Sequence, residues 1–463
     1  MGVVNIAVIG LGTVGGGLVR LLQRHHDDYL ASYGVDLRLK RACARSARHA
    51  EELGLPEGVF TTDWHEAVSD PEVDIVVELI GGDHPAREIF EAAFAAGKHV
   101  VSANKSMLSH CMGELAGMAH ESGVQLRCEA AVAGGIPIVE TLEHALAGNE
   151  VLTIAGIVNG TTNYMLTRIE REGLSFDEVL ADAQRLGYAE TDPTADVDGF
   201  DAAAKIAILA TIGFNTRVTM DDVSLIEGIR GVSPVDVACA REWGYRVKLL
   251  AVARSTASGV DVRVHPAMLP VGHQLASVDG VFNAVYVVGD AVGETMYFGP
   301  GAGDFPTASA VMGDVLALAT PLAHGSKPLA EAKPFDRVLP VCNPLDLTAR
   351  YYVRLALEDR PGILGPVASV FGDEGVSIAL VSQPSHDENA AASLVLLTQP
   401  AKERAVQAAL AKVREVEGVQ EVCSVIRVED TEAWKAGKLA RQPVFNWRCH
   451  TCDAFCASVL PPC

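Results

Sequence analysis

A β-branched apolar run over residues 3–9 ends in Gly10-Leu11-Gly12, and apolar positions then recur at helical spacing over 14–22. A period of two giving way to one of 3.6 across a glycine turn predicts strand, tight turn and helix. The alternation continues with strands at 37–44, near Val59, at 73–80, 99–102 and 125–129, and with helices over 47–53, from His65, over 86–96 and over 106–121. Strands that alternate with helices predict a parallel sheet covered on both faces, an α/β unit over residues 1–133.

Past Gly134-Gly135 the pattern lengthens into helices over 136–147, 162–172, 176–186 and 200–213, with strands at 154–158 and 248–254. A second, α+β unit is predicted over 134–303. The run GPGAG at 299–303 precedes a helical stretch, 306–323, and residues 304–345 are expected to pack back on the first unit. From Arg350 the order is strand (352–357), helix (363–371), strand (376–382), strand (391–398), helix (401–413) and strand (420–427). This predicts a ferredoxin-like βαββαβ unit over 350–428, and residues 429–463 are expected to be a disordered tail.

The 463 residues, 49% of them hydrophobic, exceed one ordinary core and predict a multidomain protein. Lys plus Arg total 37 against 59 Asp plus Glu, a net charge of −22, which excludes a general polyanion binder. Neither nucleic acid nor membrane is an expected partner. The start, MGVVNIAVIG, has no basic leader, and no uncharged apolar run approaches spanning length, so a cytoplasmic protein is expected. Cys43, Cys111, Cys128, Cys239, Cys342 and Cys423 are scattered singly, as buried thiols of a reducing compartment are.

Gly10-Leu11-Gly12-Thr13-Val14-Gly15 satisfies the dinucleotide fingerprint in its proper place, after a strand and opening a helix. Gly10 permits the turn, Gly12 lets backbone approach a pyrophosphate, and Gly15 allows close packing, which makes the first unit a Rossmann-type dinucleotide-binding domain. The second strand ends in Arg45 and Ser46 rather than in an acid, which favours a 2′-phosphate and hence NADP, with NAD as the alternative. Asp36 precedes that strand and points to the wrong edge. Arg45 and Arg48 could equally be solvated loop charges.

Three polar clusters follow. Lys105, in VVSANK, lies just past a strand, at the carboxyl edge where open α/β sheets bind ligands, although a surface lysine opening a helix reads the same way. Glu129-Ala-Ala-Val132-Ala-Gly134-Gly-Ile136 gathers oxygens that could hold a hard monovalent cation, or forms a glycine hinge. In GYAETDPTADVDGFDAAAK, Asp201 and Lys205 fall at i and i+4 on an otherwise apolar helix. A lysine partly buried beside a carboxylate is a tunable proton donor.

The segments ELIGG, PAREIFEAAFAAGKHVVSANK, EAAVAGGIPI, GIVNGTTNYML, GYAETDPTADVDGFDAAAK and GPGAG together resemble homoserine dehydrogenase, over about residues 3–428. The resemblance implies NAD(P)H-dependent, reversible reduction of L-aspartate 4-semialdehyde to L-homoserine. It further implies Lys205 as proton donor to the aldehyde oxygen, Asp201 and Glu190 as holders of the hydroxyl and ammonium region, and Lys105 between nicotinamide and substrate. Glu129, Val132, Gly134 and Ile136 match positions that bind a sodium ion, largely through backbone oxygens. Gly187 and Gly303 match cofactor contacts, and a homodimer or homotetramer is implied.

The βαββαβ unit, with Glu358-Asp359-Arg360-Pro361-Gly362 at its first turn, resembles an ACT domain, which implies feedback inhibition by threonine; a purely dimerising unit is the alternative. Cys449, His450, Cys452, Cys456 and Cys463 in the tail match no complete zinc pattern. Among rivals, an aldehyde dehydrogenase forming an acyl phosphate needs a nucleophilic cysteine, and neither Cys111 nor Cys128 is so placed. A catalytically silent amino-acid sensor would have no need of Lys105, Glu190, Asp201 and Lys205 together.

Overall fold

The computed structural model describes residues 2–328, 335, 337–383 and 392–436. The expected cysteine-bearing tail residues, Cys449, His450, Cys452, Cys456 and Cys463, lie outside them.

Among the described residues, the first sheet is six-stranded and parallel throughout. Its order in space is Phe60–Thr61, Val35–Cys43, Gly2–Ile9, Ile75–Glu78, His99–Ser102, Leu126–Arg127. The order reverses beside the first strand, the switch point at which such sheets bind ligands. The helix Asp304–Ala323 lies on this sheet and against helix Thr13–Tyr33, burying Ala308, Val311, Val315 and Leu318 with Val4, Ile6 and Leu18. Its length and composition would also suit a membrane crossing, but it carries Asp304 and Asp314 and forms part of this core. The stretch expected to return to the first unit divides after that helix. Pro340 and Cys342 instead hydrogen-bond across to Val260, and Arg337 to Arg217, because Val341 pairs as a short parallel bridge with Val260.

The second sheet starts from the edge strand Gly293–Pro300 and runs through Phe282–Gly289, Val151–Ile157, Tyr245–Thr256 and Gly259–Pro270. It then continues without a break into the C-terminal unit, because Ala267 and Met268 pair in parallel with Arg427 and Val428. Beyond that junction the strands are Val419–Val428, Thr348–Leu357, Ala392–Thr398 and Ile378–Ser382, all antiparallel, with helices Leu364–Asp373 and Glu403–Val413 packed over Leu355, Leu394 and Leu396. The βαββαβ order expected from the pattern is observed with one addition, a two-residue strand, Ala401–Lys402, that pairs with Thr348–Leu357 before the second helix.

Gly259–Pro270 and Phe282–Gly289 are strands beyond those expected. The first does carry a period-two signal, Val260, Val262 and Val264 alternating with Asp261, Arg263 and His265, which the expectation passed over; the second holds an apolar run, Ala284 to Val288, buried on both faces, where that signal disappears. The helix expected over 136–147 is observed as Ile138–Glu140 continued directly by a π-helix, Thr141–Ala145, and the Thr141 hydroxyl donates to the Pro137 carbonyl at 2.5 Å where it widens. The tail expected from 429 onward begins instead as a strap. Trp434 is fully buried among Leu152, Leu250, Leu269 and Tyr286, its indole N–H donates to Glu429 at 3.1 Å, and its carbonyl accepts from Thr153 at 2.8 Å.

Candidate active site

The fingerprint glycines behave as their spacing predicts. Gly10 has φ +107°, and a Cβ there would lie 2.6 Å from the Leu79 carbonyl oxygen; a Cβ at Gly15 would overlap the Gly10 carbonyl. Gly12 faces open space at the start of helix Thr13–Tyr33. Beside them a cavity of about 610 Å³ is lined by Leu11, Gly12, Arg45, Ser46, His49 and Trp64. Thr13 borders the neighbouring hollow, and Val14 is half-buried against the core of the first unit. Arg45 is exposed just beyond the second strand and reaches the cavity wall, while Asp36 sits at that strand's other end, bonded to Arg38 and His26.

At the carboxyl edge of the same sheet, Glu78 accepts from the Ser102 hydroxyl at 2.7 Å and from the Ile80 and Gly81 N–H groups. Asn104 caps helix Lys105–Glu121 and donates to the Gly82 carbonyl at 2.6 Å. These bonds fix the loops that aim Lys105 across the cleft, where its ammonium lies 2.5 Å from Asp201 Oδ1.

Asp201 and Lys205 stand one turn apart on helix Phe200–Gly213, buried on nearly every side, and Lys205 Nζ donates to Asp201 Oδ2 at 2.7 Å and to the Val158 carbonyl at 2.8 Å. An ammonium has three donors, so one remains for a ligand. Burial lowers the Lys205 pKa below the usual lysine value, the negative Asp201 opposes the shift, and Lys105 adds to it. For Asp201 burial alone would raise the pKa, but the charges of Lys205 and Lys105 prevail and hold it well below the ordinary carboxylate range. The half-exposed Lys105 is shifted upward, because Asp201 outweighs the cost of its burial. Two lysines thus share one carboxylate whose ionised form they favour, and the more buried lysine is the one eased toward losing its proton.

Glu190 is exposed on the loop after helix Phe176–Arg185, within electrostatic reach of Lys105. Its loop is tied to the site by the Thr161 hydroxyl, which donates to the Tyr188 carbonyl at 2.6 Å, and Gly187 turns there with φ +78°. Gly303 begins helix Asp304–Ala323, and the loop before it meets the Gly134 turn: the Gly135 N–H donates to the Pro300 carbonyl at 3.0 Å.

The Glu129 carboxylate accepts the N–H groups of Val139 (2.9 Å) and Glu140 (2.7 Å), one at each oxygen, which fixes it beside the turn. Ala133 at φ +52° and Gly134 at φ +31° form a strained turn. Among the described residues, neither the Val132 nor the Gly134 carbonyl accepts a backbone hydrogen bond, whereas the Ile136 carbonyl accepts the Ile138 N–H at 2.8 Å. The donor set fits a hard cation at the Val132 and Gly134 carbonyls, while the Glu129 and Ile136 carbonyls each already accept one N–H and keep a second lone pair.

Asp196 and Asn159 were missed as site residues. Both belong to this cluster, with Asn159 Nδ2 2.6 Å from Asp196 Oδ1. Asp196 was hidden in a run of acids, and Asn159 looked like an ordinary helix cap. Cys111 gives no support to the rival aldehyde chemistry, since burial pushes its thiol upward, away from thiolate.

A dinucleotide fold whose carboxyl edge meets a buried lysine–carboxylate pair defines a nicotinamide-dependent oxidoreductase. Residues 10–129 match the NAD binding domain of homoserine dehydrogenase and residues 137–316 match the homoserine dehydrogenase family itself. The homoserine dehydrogenase of a Synechocystis species is 43% identical over 436 residues, covering 92% of this chain and 99% of that protein. A crystal structure of a homoserine dehydrogenase from Thiobacillus denitrificans superposes with TM-score 0.85 at 41% identity, covering 92% of this chain and 98% of that one. A hyperthermophilic archaeal homoserine dehydrogenase in complex with NADPH matches with TM-score 0.59 at 28% identity, covering 69% of this chain and 98% of that one. The chain belongs to the homoserine dehydrogenase family, whose members are NAD(P)-dependent oxidoreductases.

Proposed function

We propose that within this family activity Lys205 is the proton donor and Asp201 the group that holds it, with Lys105 and Glu190 orienting the amino-acid substrate. The carrying observation is the free third donor position of a buried Lys205 whose other two bonds are fixed. The nicotinamide supplies hydride to the aldehyde carbon of L-aspartate 4-semialdehyde, and Lys205 delivers a proton to the oxygen, giving L-homoserine. In the reverse direction neutral Lys205 accepts the hydroxyl proton. Asp201 remains ionised in both directions and balances whichever charge Lys205 carries.

Gly10 to Gly15, Arg45, Gly187 and Gly303 are the proposed dinucleotide contacts, and Arg45 at the cavity wall supports NADP over NAD. A sodium ion on the carbonyl oxygens of Glu129, Val132, Gly134 and Ile136 is supported by the strained, underused carbonyl turn. We read residues 1–133 with the 304–323 helix as the nucleotide domain, 134–303 as the catalytic domain, and 350–428 as an ACT domain that takes threonine. The 4-1-3-2 strand order of that last unit supports the reading. A homodimer or homotetramer is supported by Phe282, Met296 and Phe298, exposed at the edge of the second sheet. The six described cysteines are unpaired, in keeping with work in the cytoplasm.

The test is homoserine-dependent reduction of NADP and of NAD, followed at the nicotinamide band with and without L-threonine. Reduction dependent on homoserine is expected, faster with NADP and suppressed by threonine. No reduction with either nucleotide from folded protein would overturn the catalytic assignment.

A further inference from the structure

We infer that Asn159 is a positioning residue of this reaction, its side-chain amide bracing the Asp196 and Asp201 carboxylates so that Asp201 presents one oxygen to each lysine. The inference rests on the assignment of Lys205 as proton donor.

Asn159 is 5% exposed and stands, with extended backbone, just before helix Gly160–Glu172. Its Oδ1 accepts the Thr162 N–H and the Thr162 hydroxyl, each at 2.9 Å. A helix start presents N–H groups, so the amide oxygen must face the helix and the amide nitrogen must face away from it. Away from it lie two acids. Nδ2 donates to Asp196 Oδ1 at 2.6 Å and to Asp201 Oδ2 at 2.9 Å. Asp201 Oδ2 is also the oxygen that accepts the Lys205 hydrogen bond, which leaves Oδ1 for Lys105.

The helix alone does not require asparagine. Serine, threonine or aspartate caps a helix start as well, but none offers an N–H pair to carboxylates on the far side. Aspartate would put a third anion against two. Burial pushes Asp196 upward, and the Asn159 hydrogen bond is the strongest influence pulling it back. With that donor gone, Asp196 and Asp201 would repel across an empty position, and Asp201 would be free to rotate off Lys205.

Two variants separate capping from bracing. Asn159→Ser keeps a cap acceptor and removes both donors; Asn159→Asp keeps cap and shape and replaces the donors with charge. Both are measured for kcat, KM for each substrate, thermal midpoint and the pH profile of kcat/KM for homoserine oxidation, beside Lys205→Met. For Asn159→Ser the expected result is a fall in kcat of about tenfold or more with KM for NADP unchanged. For Asn159→Asp the alkaline-rising limb moves to higher pH, because an added anion holds the Lys205 proton more tightly. Parent-like kcat and profile in Asn159→Ser, with Lys205→Met inactive, would overturn the role of Asn159 alone. Full turnover by Lys205→Met would overturn the assignment of Lys205 and this inference with it. If Asn159→Asp does not fold, the serine variant decides.

Discussion

Replacing Asp201 by asparagine keeps the shape of the side chain and removes the one negative charge between Lys205 and Lys105. Lys205 Nζ is 2.7 Å from Asp201 Oδ2, and Lys105 Nζ is 2.5 Å from Oδ1, so both lysines lose their counterion together. What remains around Lys205 is burial and the repulsion of Lys105, which lower its pKa, against the weaker upward pull of the Asp196 carboxylate. A close opposite charge is worth about one to three pKa units, or about 1.4 to 4 kcal/mol, so the Lys205 midpoint should fall by that much in Asp201→Asn. The sign differs between the two directions of the reaction. Homoserine oxidation needs neutral Lys205, so its rate rises with pH through the Lys205 midpoint, and in the variant that rise should come at lower pH. Semialdehyde reduction needs the ammonium, so its loss with rising pH should also begin earlier.

The assay is kcat/KM for homoserine at saturating NADP across the pH range in which the protein stays folded. A misplaced lysine would lower the rate at every pH without moving the midpoint, and the substrate's own ionisations are common to parent and variant. A variant that is slower but keeps the parent's limb would refute the claim that the Asp201 charge sets the protonation of Lys205.

Arg45→Ala should raise KM for NADP by about tenfold or more, the worth of a charged hydrogen bond of about 1.5 to 3 kcal/mol, while KM for NAD stays put; equal changes for both nucleotides would dismiss Arg45 as a 2′-phosphate contact. Trp434→Ala empties a closed apolar site and should cost up to about 3 to 5 kcal/mol in urea unfolding, less if the strap frays before the rest of the protein unfolds. An unchanged unfolding midpoint together with unchanged proteolysis near residue 434 would show that the strap contributes nothing. L-Threonine at millimolar concentration should inhibit the parent, and a flat titration would leave the C-terminal unit without its proposed effector.

What the sequence made legible were features with a local cause. Gly10, Gly12 and Gly15 are dictated by one turn, and Lys105 by its place one residue-pair past a parallel strand, so each could be read from a few neighbours. Asp201 and Lys205 were legible because an i,i+4 charge pair inside an otherwise apolar helix has no solvated explanation. Strand Phe282–Gly289, by contrast, is buried at every residue but its first, and its apolar run from Ala284 to Val288, without alternation, is as good a helix as a strand. Asn159 was illegible for another reason: its second task depends on carboxylates 37 and 42 residues away, which no local pattern reports. The anchoring of Trp434 likewise depends on a pocket whose walls come from four distant strands.

Long-range contacts also join the C-terminal unit to the segment that precedes the catalytic helix. Arg427, 2% exposed, pairs with Glu403 of its own unit at 2.7 Å and with Glu227 of the catalytic unit at 2.6 Å. The Glu227 N–H is bonded to the Val264 carbonyl, and two residues on, the Ile229 N–H is bonded to the Val197 carbonyl. Gly228 between them leaves no room for a Cβ against that carbonyl. Val197 closes the short helix that carries Asp196, and Gly199 then opens the helix that carries Asp201 and Lys205. A shift of the last strand by a fraction of an ångström therefore has a tightly packed route to the start of the catalytic helix, with no loose loop to absorb it. Spatial continuity alone does not make a switch; a switch also needs two arrangements of the junction that an effector binds unequally. The Arg427 junction supplies a candidate, since a guanidinium shared between two carboxylates on different units can favour either one.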